Sequence, residues 1–263
     1  MKRIEIILIF TTLWMIGACE IFNDGQPYKQ ADLVFDWETL KQQNIEKPDD
    51  DNLIEQFRDD AARLALRKEL NQDDGYEGDY PPEKKKQAVF NAIVSIYNSE
   101  KTENRREVFD VHQISTFPNP VLDMLLVSFD DNEGWQNAWF QEEKHTGNDQ
   151  VDELMDKYHF EIRSIHDGNL ALFVVLESEK RLNIAQVATY FSEIEEVSYA
   201  SPNSAIGDGN DMHMQVDDFM LFIGFSRGWG DCPAGCINRE YWNYRVTPYG
   251  EVFFEGVEAD RWQ

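Results

Sequence analysis

The chain has 263 residues, with 24 lysines and arginines against 50 aspartates and glutamates, which gives a formal net charge of −26. Such a charge repels nucleic acids and anionic lipid headgroups, so we do not expect a DNA or RNA partner. A hydrophobic content of 42% and an aromatic content of 13% predict a packed globular protein. We interpret the acidic surface as a source of solubility at a crowded membrane surface, in preference to a site for one cationic partner.

The N-terminus has the three parts of a secretory signal. Lys2 and Arg3 are followed by an apolar run over residues 6–16, which is short for a membrane span. The run ends in Ile16-Gly17-Ala18-Cys19, which resembles a bacterial lipobox. The resemblance implies that residues 1–18 are a signal peptide and that Cys19 carries the lipid after cleavage. It also implies a cell-envelope protein, in the outer membrane rather than the inner one.

The segment after Cys19 predicts a tether and then helices. Residues 19–51 are mostly polar and are expected to form a lipidated spacer. Residues 52–120 are expected to form a helical region. One helix is indicated by apolar residues at helical spacing over 52–70, and a second begins after Pro81-Pro82.

Residues 121–203 alternate between strand and helix signals. The predicted order is strand, helix, strand, strand, helix, strand, with a hairpin turn at Asp167-Gly168 and a helix N-cap at Asn183. This order is typical of the ferredoxin-like βαββαβ sandwich, so the predicted fold class is α+β. The predicted elements are strands at 123–129, 160–164, 170–176 and 197–200, and helices at 149–158 and from 184.

The end of this region resembles a known family. The sequence Phe-Ser-Glu-Ile-Glu-Glu-Val-Ser-Tyr-Ala-Ser-Pro-Asn over 191–203 is similar to the end of the subtilisin propeptide and proteinase-inhibitor family. The resemblance covers residues 121–203 and implies a ferredoxin-like fold with an inhibitor-like role. In that family the tail after this ending enters the protease cleft, whereas here the chain continues from 204 to 263.

Residues 204–263 predict an antiparallel three-stranded meander with strands at 218–225, 241–247 and 251–257. The loop between the first two strands contains Cys232 and Cys236. In an exported protein this pair is expected to form a disulfide, with a zinc site or a redox pair as alternatives. The glycine-rich pattern around the two cysteines resembles a terminal segment of uncharacterised secreted bacterial proteins.

Catalytic and metal-binding signals are weak. Residues 224–228 match the Gly-x-Ser-x-Gly elbow of hydrolases, but the sequence after Ser226 cannot begin a helix, so a turn position is expected instead. The five histidines have no metal-ligand spacing. Residues 208–211 are rich in oxygen atoms and could contact calcium, although a turn is favoured.

Aromatic residues on predicted loops are the candidate binding residues. Each could anchor a partner, or could fill the core beneath a long loop, which is the interpretation we favour. The four candidates are Trp135, Trp139, Trp229 and Trp242.

The predicted function is a lipid-anchored, non-enzymatic binding or interaction module, with no cofactor, no metal and no catalytic residue. Its expected partners are the membrane, through Cys19, and a protein. A serine-type or calcium-assisted hydrolase and a structural envelope component are the alternatives.

Overall fold

The computed structural model describes residues 35–71, 75–99, 102–131, 134–168, 171–204, 207–217 and 219–257. The predicted signal peptide and the proposed lipid site at Cys19 lie outside these residues. The described chain mixes helices with two antiparallel four-stranded sheets. None of the helices in these ranges is long and apolar enough to cross a membrane.

The N-terminal part is helical. Helix α2 begins where the Asp50 carboxylate accepts hydrogen bonds from the backbone N–H groups of Asn52 and Leu53, and α3 follows Pro82, as predicted. Helix α4 continues into one π-helical segment, Glu107–Val111. The bounds are α1 Trp37–Lys41, α2 Asp51–Leu70, α3 Glu83–Asn98 and α4 Glu103–Arg106.

In the last part of the predicted tether over 19–51, the structure has a packed helix in place of a polar spacer. Phe35, Trp37 and Leu40 are buried against α3, and Asn91 of that helix donates a hydrogen bond to the Leu40 carbonyl at 2.8 Å. The reason is burial of apolar surface, because three large side chains in six residues suffice to bind a short helix to a larger one. The folded unit therefore begins before residue 51.

The central sheet contains four strands in the order β2-β3-β1-β4, all antiparallel. Helices α5 and α6 lie between β1 and β2, and α7 lies between β3 and β4. Asn148 and Asn183 cap α6 and α7. The bounds are β1 Met124–Phe129, α5 Asn137–Phe140, α6 Asp149–Lys157, β2 Phe160–Gly168, β3 Ala171–Ser178, α7 Ile184–Ser192 and β4 Val197–Pro202.

The C-terminal sheet has four strands in the order β5-β6-β7-β8, so the prediction of three strands was wrong. The strand missed is β5, in which Met212, Met214 and Val216 alternate with polar residues and bury only one face. The bounds are β5 Asp211–Val216, β6 Leu221–Trp229, β7 Asn238–Val246 and β8 Val252–Gly256.

The N-terminal helices and the C-terminal sheet share one hydrophobic core, although they lie at opposite ends of the chain. From the sequence, they were predicted to be two separate regions, 52–120 and 204–263. The central sheet and α5–α7 form a second core. The members of the first core include Phe57, Leu64, Ile93, Ile96, Phe225, Trp242 and Tyr244.

An ion-pair cluster joins the two cores. Arg63 on α2 donates from Nε to Asp59 at 3.0 Å and from Nη2 to Asp123, just before β1, at 3.1 Å. Arg181, between β3 and α7, contacts the same two carboxylates. Arg63 and Asp123 are buried, so these charges depend on one another for solvation.

Asp60 is the third acid beside this cluster. One carboxylate oxygen accepts hydrogen bonds of 2.7 Å from Thr116 N and Thr116 Oγ1, whereas Oδ2 is buried with no hydrogen-bond partner among the described residues. Burial raises the pKa of Asp60 to about 7, and the neighbouring Asp59 charge adds to this effect. Asp60 therefore holds a proton in the folded state that the unfolded chain releases near pH 4.

This shift predicts that Asp60 lowers stability as pH rises. Its contribution is fully present below its unfolded pKa of about 3.8 and is lost as pH increases through about 7. We expect Asp60→Asn to flatten this dependence and to stabilise the protein at pH 8 by about 1–2 kcal/mol, since an unpartnered amide costs less than a buried charge. Urea unfolding of Asp60→Asn and of the natural sequence at pH 5 and pH 8 measures this difference in stability. If the free energy of unfolding of Asp60→Asn changed between pH 5 and pH 8 as much as that of the natural sequence, the assignment would be contradicted.

Candidate functional site

The C-terminal sheet has a polar cluster on the face opposite the helices, centred on Ser226. Ser226 lies within β6, opposite Asp211 of β5 and Tyr241 of β7, so the expectation of a turn position was wrong. The strand continues through Gly228 because β7 pairs with it as far as Trp229. The Ser226 side chain is fully buried.

The Ser226 hydroxyl has three polar neighbours. Arg239 donates to Oγ from Nη1 at 2.6 Å, Oγ donates to the Asp211 carbonyl at 3.1 Å, and His213 Nε2 lies 3.2 Å away. A hydroxyl has one proton and two acceptor positions. With its proton on the Asp211 carbonyl, Oγ accepts from Arg239 and from the Nε2–H of His213. The same distances also fit the other tautomer, in which Oγ donates to His213 Nε2.

His213 is held neutral at physiological pH. Burial lowers its pKa below the usual value, opposed by the Asp211 charge and supported by the charges of Arg239 and Arg67. A neutral histidine beside a serine is the pairing used by hydrolases. Here, however, the serine is fully buried in the middle of a sheet and cannot reach a substrate.

Asp208 connects this cluster to the cysteine loop. Its carboxylate pairs with Arg239 and accepts a hydrogen bond from Cys236 N at 3.0 Å. The Sγ atoms of Cys232 and Cys236 lie at disulfide-bonding distance, as predicted. A Cβ added to Gly228 would lie 2.5 Å from Cys236 Sγ and 2.8 Å from the Gly209 carbonyl oxygen, so only glycine lets the loop approach β6.

The side-chain oxygens of the segment 208–211 accept hydrogen bonds from other groups of the protein. The Asp208 carboxylate is engaged as described, Asn210 Oδ1 accepts from Gly228 N at 3.3 Å, and Asp211 Oδ1 accepts from Arg67 at 2.8 Å. Asp211 Oδ1 also accepts from Phe117 N at 2.6 Å. Carboxylates that already accept this many hydrogen bonds are poorly placed to ligate calcium. Within the described ranges, no group of three or more histidine, cysteine or acidic side chains could hold a metal ion.

The four candidate tryptophans have different environments. Trp139 is fully buried against Phe129 and Trp135, and Trp242 is buried in the first core. Trp135 is half-buried, and its indole N–H contacts Glu196 at 2.9 Å. Only Trp229 among the four is exposed, at 41%, with the Arg227 guanidinium over its ring.

The central sheet presents a second candidate surface, which sequence reasoning missed. Helices α5–α7 pack on the face formed by residues such as Leu125, Val127 and Val174. The strand alternation places Leu126, Phe173, Val175 and Tyr199 on the opposite face, and we call these four residues the open face.

The open face is apolar and aromatic in its centre. Phe173 lies opposite Ser128, which lies opposite Tyr199, and the His166 ring stacks on Phe173 with centroids 4.7 Å apart. Tyr199 is 59% exposed, Leu126 and Phe173 are half-buried, and Val175 is buried. An alternation of apolar and polar residues along β1 and β3 could have indicated this face, but both strands are apolar on both sides and their sequence shows no such contrast.

Ser226 provides a direct test of the hydrolase alternative. We expect no labelling of the folded protein by a fluorophosphonate probe, because the hydroxyl is buried and its hydrogen-bonding capacity is filled. Ser226→Ala is expected to cost about 1–2 kcal/mol of stability, since Arg239 loses an acceptor. Labelling that is absent from the Ser226→Ala variant would instead identify Ser226 as a nucleophile.

No protein-family model, curated protein or solved structure gives a significant match to this chain.

Proposed function

We propose that this chain is a lipid-anchored cell-envelope protein that acts as a non-enzymatic binding module. In this proposal residues 121–203 form a ferredoxin-like domain. The strand order β2-β3-β1-β4, with helices after β1 and β3 packed on one face, supports that assignment. The lipobox-like sequence ending at Cys19 supports the anchor.

The observation that carries the binding role is the open face. Tyr199 is exposed and Leu126 and Phe173 are half-buried, so the accessible apolar surface of this face centres on these three side chains. Accessible apolar surface of this kind often marks a site of interaction.

Glu161 and Glu177 lie opposite each other on β2 and β3 at one end of this face. Glu161 pairs with Lys144 at 2.6 Å and Glu177 pairs with Arg163 at 3.6 Å. The feature that a protein partner would complement is therefore the apolar centre of the face.

A propeptide-like role would require a contact surface other than a free chain end after β4. Asn203, directly after β4, is held in place because its N–H donates to the Met124 carbonyl at 2.8 Å, and β5 begins at Asp211. This part of the chain is therefore unsuited to enter a protease cleft as a free tail. If this protein inhibits a subtilisin-like protease, we propose that it does so through the open face, and a panel of such enzymes at micromolar inhibitor tests this.

Capture from detergent-solubilised membranes tests the binding role. We expect a protein retained by the full chain to be lost with Phe173→Ala/Tyr199→Ala and kept with Phe219→Ala. Phe219 is a matched control because it is equally exposed, at 59%, but lies in the turn between β5 and β6. Equal capture by all three proteins would contradict a role for the open face.

Cys19 is the test of the anchor. We expect Cys19→Ala to lose lipid labelling and to accumulate as soluble protein or unprocessed precursor. The folded domain should remain stable, because the described core begins only at Phe35. Palmitate labelling and membrane fractionation measure both effects. A variant that is still labelled and normally processed would overturn the anchor.

A further inference from the structure

A surface cleft of about 520 Å³ lies between the α1–α2 connection, the end of α3 and the β7–β8 turn. Its described lining is uncharged, although 24 basic and 50 acidic residues occur in the sequence. Carboxamides, hydroxyls and one exposed aromatic ring dominate it, namely Gln43, Asn44, Asn98, Ser95, Ser99 and Tyr249.

The hydrogen bonds around this cleft orient its polar groups. Asn98 Nδ2 donates to the Glu46 carbonyl at 2.6 Å, and Gln43 Nε2 donates to the Thr39 carbonyl at 2.9 Å. These bonds orient both amides and engage one N–H of each, so each amide still presents its second N–H and its oxygen.

The hydroxyl groups of the two serines also donate hydrogen bonds to the backbone. Ser95 Oγ donates to the Asn91 carbonyl at 2.9 Å, and Ser99 Oγ donates to the Ile96 carbonyl at 2.6 Å. Each hydroxyl has used its one proton, so it can offer a ligand only its lone pairs. The cleft is therefore a preorganised set of neutral acceptors together with amide N–H donors, which suits a ligand rich in hydroxyl groups.

The β7–β8 turn supplies the floor and the aromatic ring. Gly250 has a φ of +82°, and a Cβ there would lie 3.3 Å from Ser95 Oγ and 3.6 Å from Ile45 Cδ1. A glycine thus keeps the floor low beside the serine. Tyr249 is 72% exposed, so most of its ring is free to contact a ligand.

We propose that this cleft binds a neutral carbohydrate. Hydroxyl groups of a sugar would donate to the fixed oxygens, and its C–H surface would pack on Tyr249. A phosphate or carboxylate ligand would need cationic partners, and a metal ion would need carboxylates, neither of which lines the cleft in the described residues. The cleft is separate from the open face, so either site can fail without the other.

Amide NMR of the full chain, in a detergent without sugar headgroups, tests this proposal with hexasaccharides of glucose, mannose and xylose. We expect at least one of them to cause saturable shifts of the Gln43 and Asn98 side-chain amides and of Gly250. Tyr249→Ala should weaken that binding by about tenfold or more, and Tyr249→Phe by no more than about threefold. Phe219→Ala, which removes an exposed ring elsewhere, should bind as the natural sequence does.

Three results would overturn the carbohydrate site. The first is the absence of saturable shifts with all three hexasaccharides at millimolar concentration. The second is equal affinity of Tyr249→Ala and the natural sequence. The third is tighter binding of an acidic hexagalacturonate than of any neutral hexasaccharide, which would show that the cleft selects for charge.

Discussion

Replacement of Arg63 by methionine is expected to destabilise the protein by about 3–5 kcal/mol. The Arg63 side chain is buried and bridges Asp59 on α2 to Asp123 before β1. Methionine keeps most of the volume but removes the positive charge, which leaves Asp123 buried with Arg181 as its remaining cation. The loss is large because desolvated carboxylates depend on their partners for the solvation that water no longer supplies.

The control for this variant is Arg58→Met on the same helix. Arg58 is exposed, and its guanidinium lies 5.8 Å from the centre of the Phe90 ring, so its loss should cost only about 0.5–1 kcal/mol. Urea unfolding at pH 7 measures both variants. Similar losses for Arg58→Met and Arg63→Met would show that the ion-pair cluster does not hold the two cores together.

Trp139→Ala is expected to cost about 3–5 kcal/mol, because it removes the largest fully buried side chain of the second core. Its ring packs against Phe129 and Trp135, with centroids 6.0 Å and 5.3 Å away. The indole N–H also donates to the Lys144 carbonyl at 3.2 Å, which fixes the long β1–α6 connection. The variant therefore loses packing and one loop contact together.

Trp229→Ala separates filling of the core from binding at the surface. Trp229 is 41% exposed, and the Arg227 guanidinium lies 5.4 Å from the centre of its ring, so its removal should cost less than about 1 kcal/mol. Thermal and urea unfolding of both tryptophan variants check the difference. A small loss for Trp139→Ala would contradict its role in the core.

Local sequence signals predicted the elements whose stability is local. Asn148 and Asn183 cap α6 and α7 as short-range side-chain contacts, and the Pro81-Pro82 pair sets the start of α3. Strand β5 was missed because its pattern covers only six residues and is apolar on one side. The burial of Phe35 and Trp37 was missed because it depends on α3, some fifty residues further along the chain.

The environment of Ser226 could not be read from the sequence for a similar reason. Gly228 and the glycine-rich sequence after it indicate a loop locally, yet β7 pairs with β6 as far as Trp229. Arg239 and His213 reach Ser226 only because β5, β6 and β7 are neighbours in the sheet. The open face likewise depends on which side of the central sheet the helices cover, and that is decided by the whole domain.

Photocrosslinking in living cells tests the binding proposal most directly. A benzophenone amino acid placed at position 199 lies on the open face, and one at position 219 lies in the β5–β6 turn with the same exposure of the natural residue, 59%. We predict a discrete crosslinked protein from position 199 and none from position 219. Crosslinks of equal yield and pattern at both positions, or none at 199 with the protein correctly located, would contradict the assignment of the open face as the binding surface.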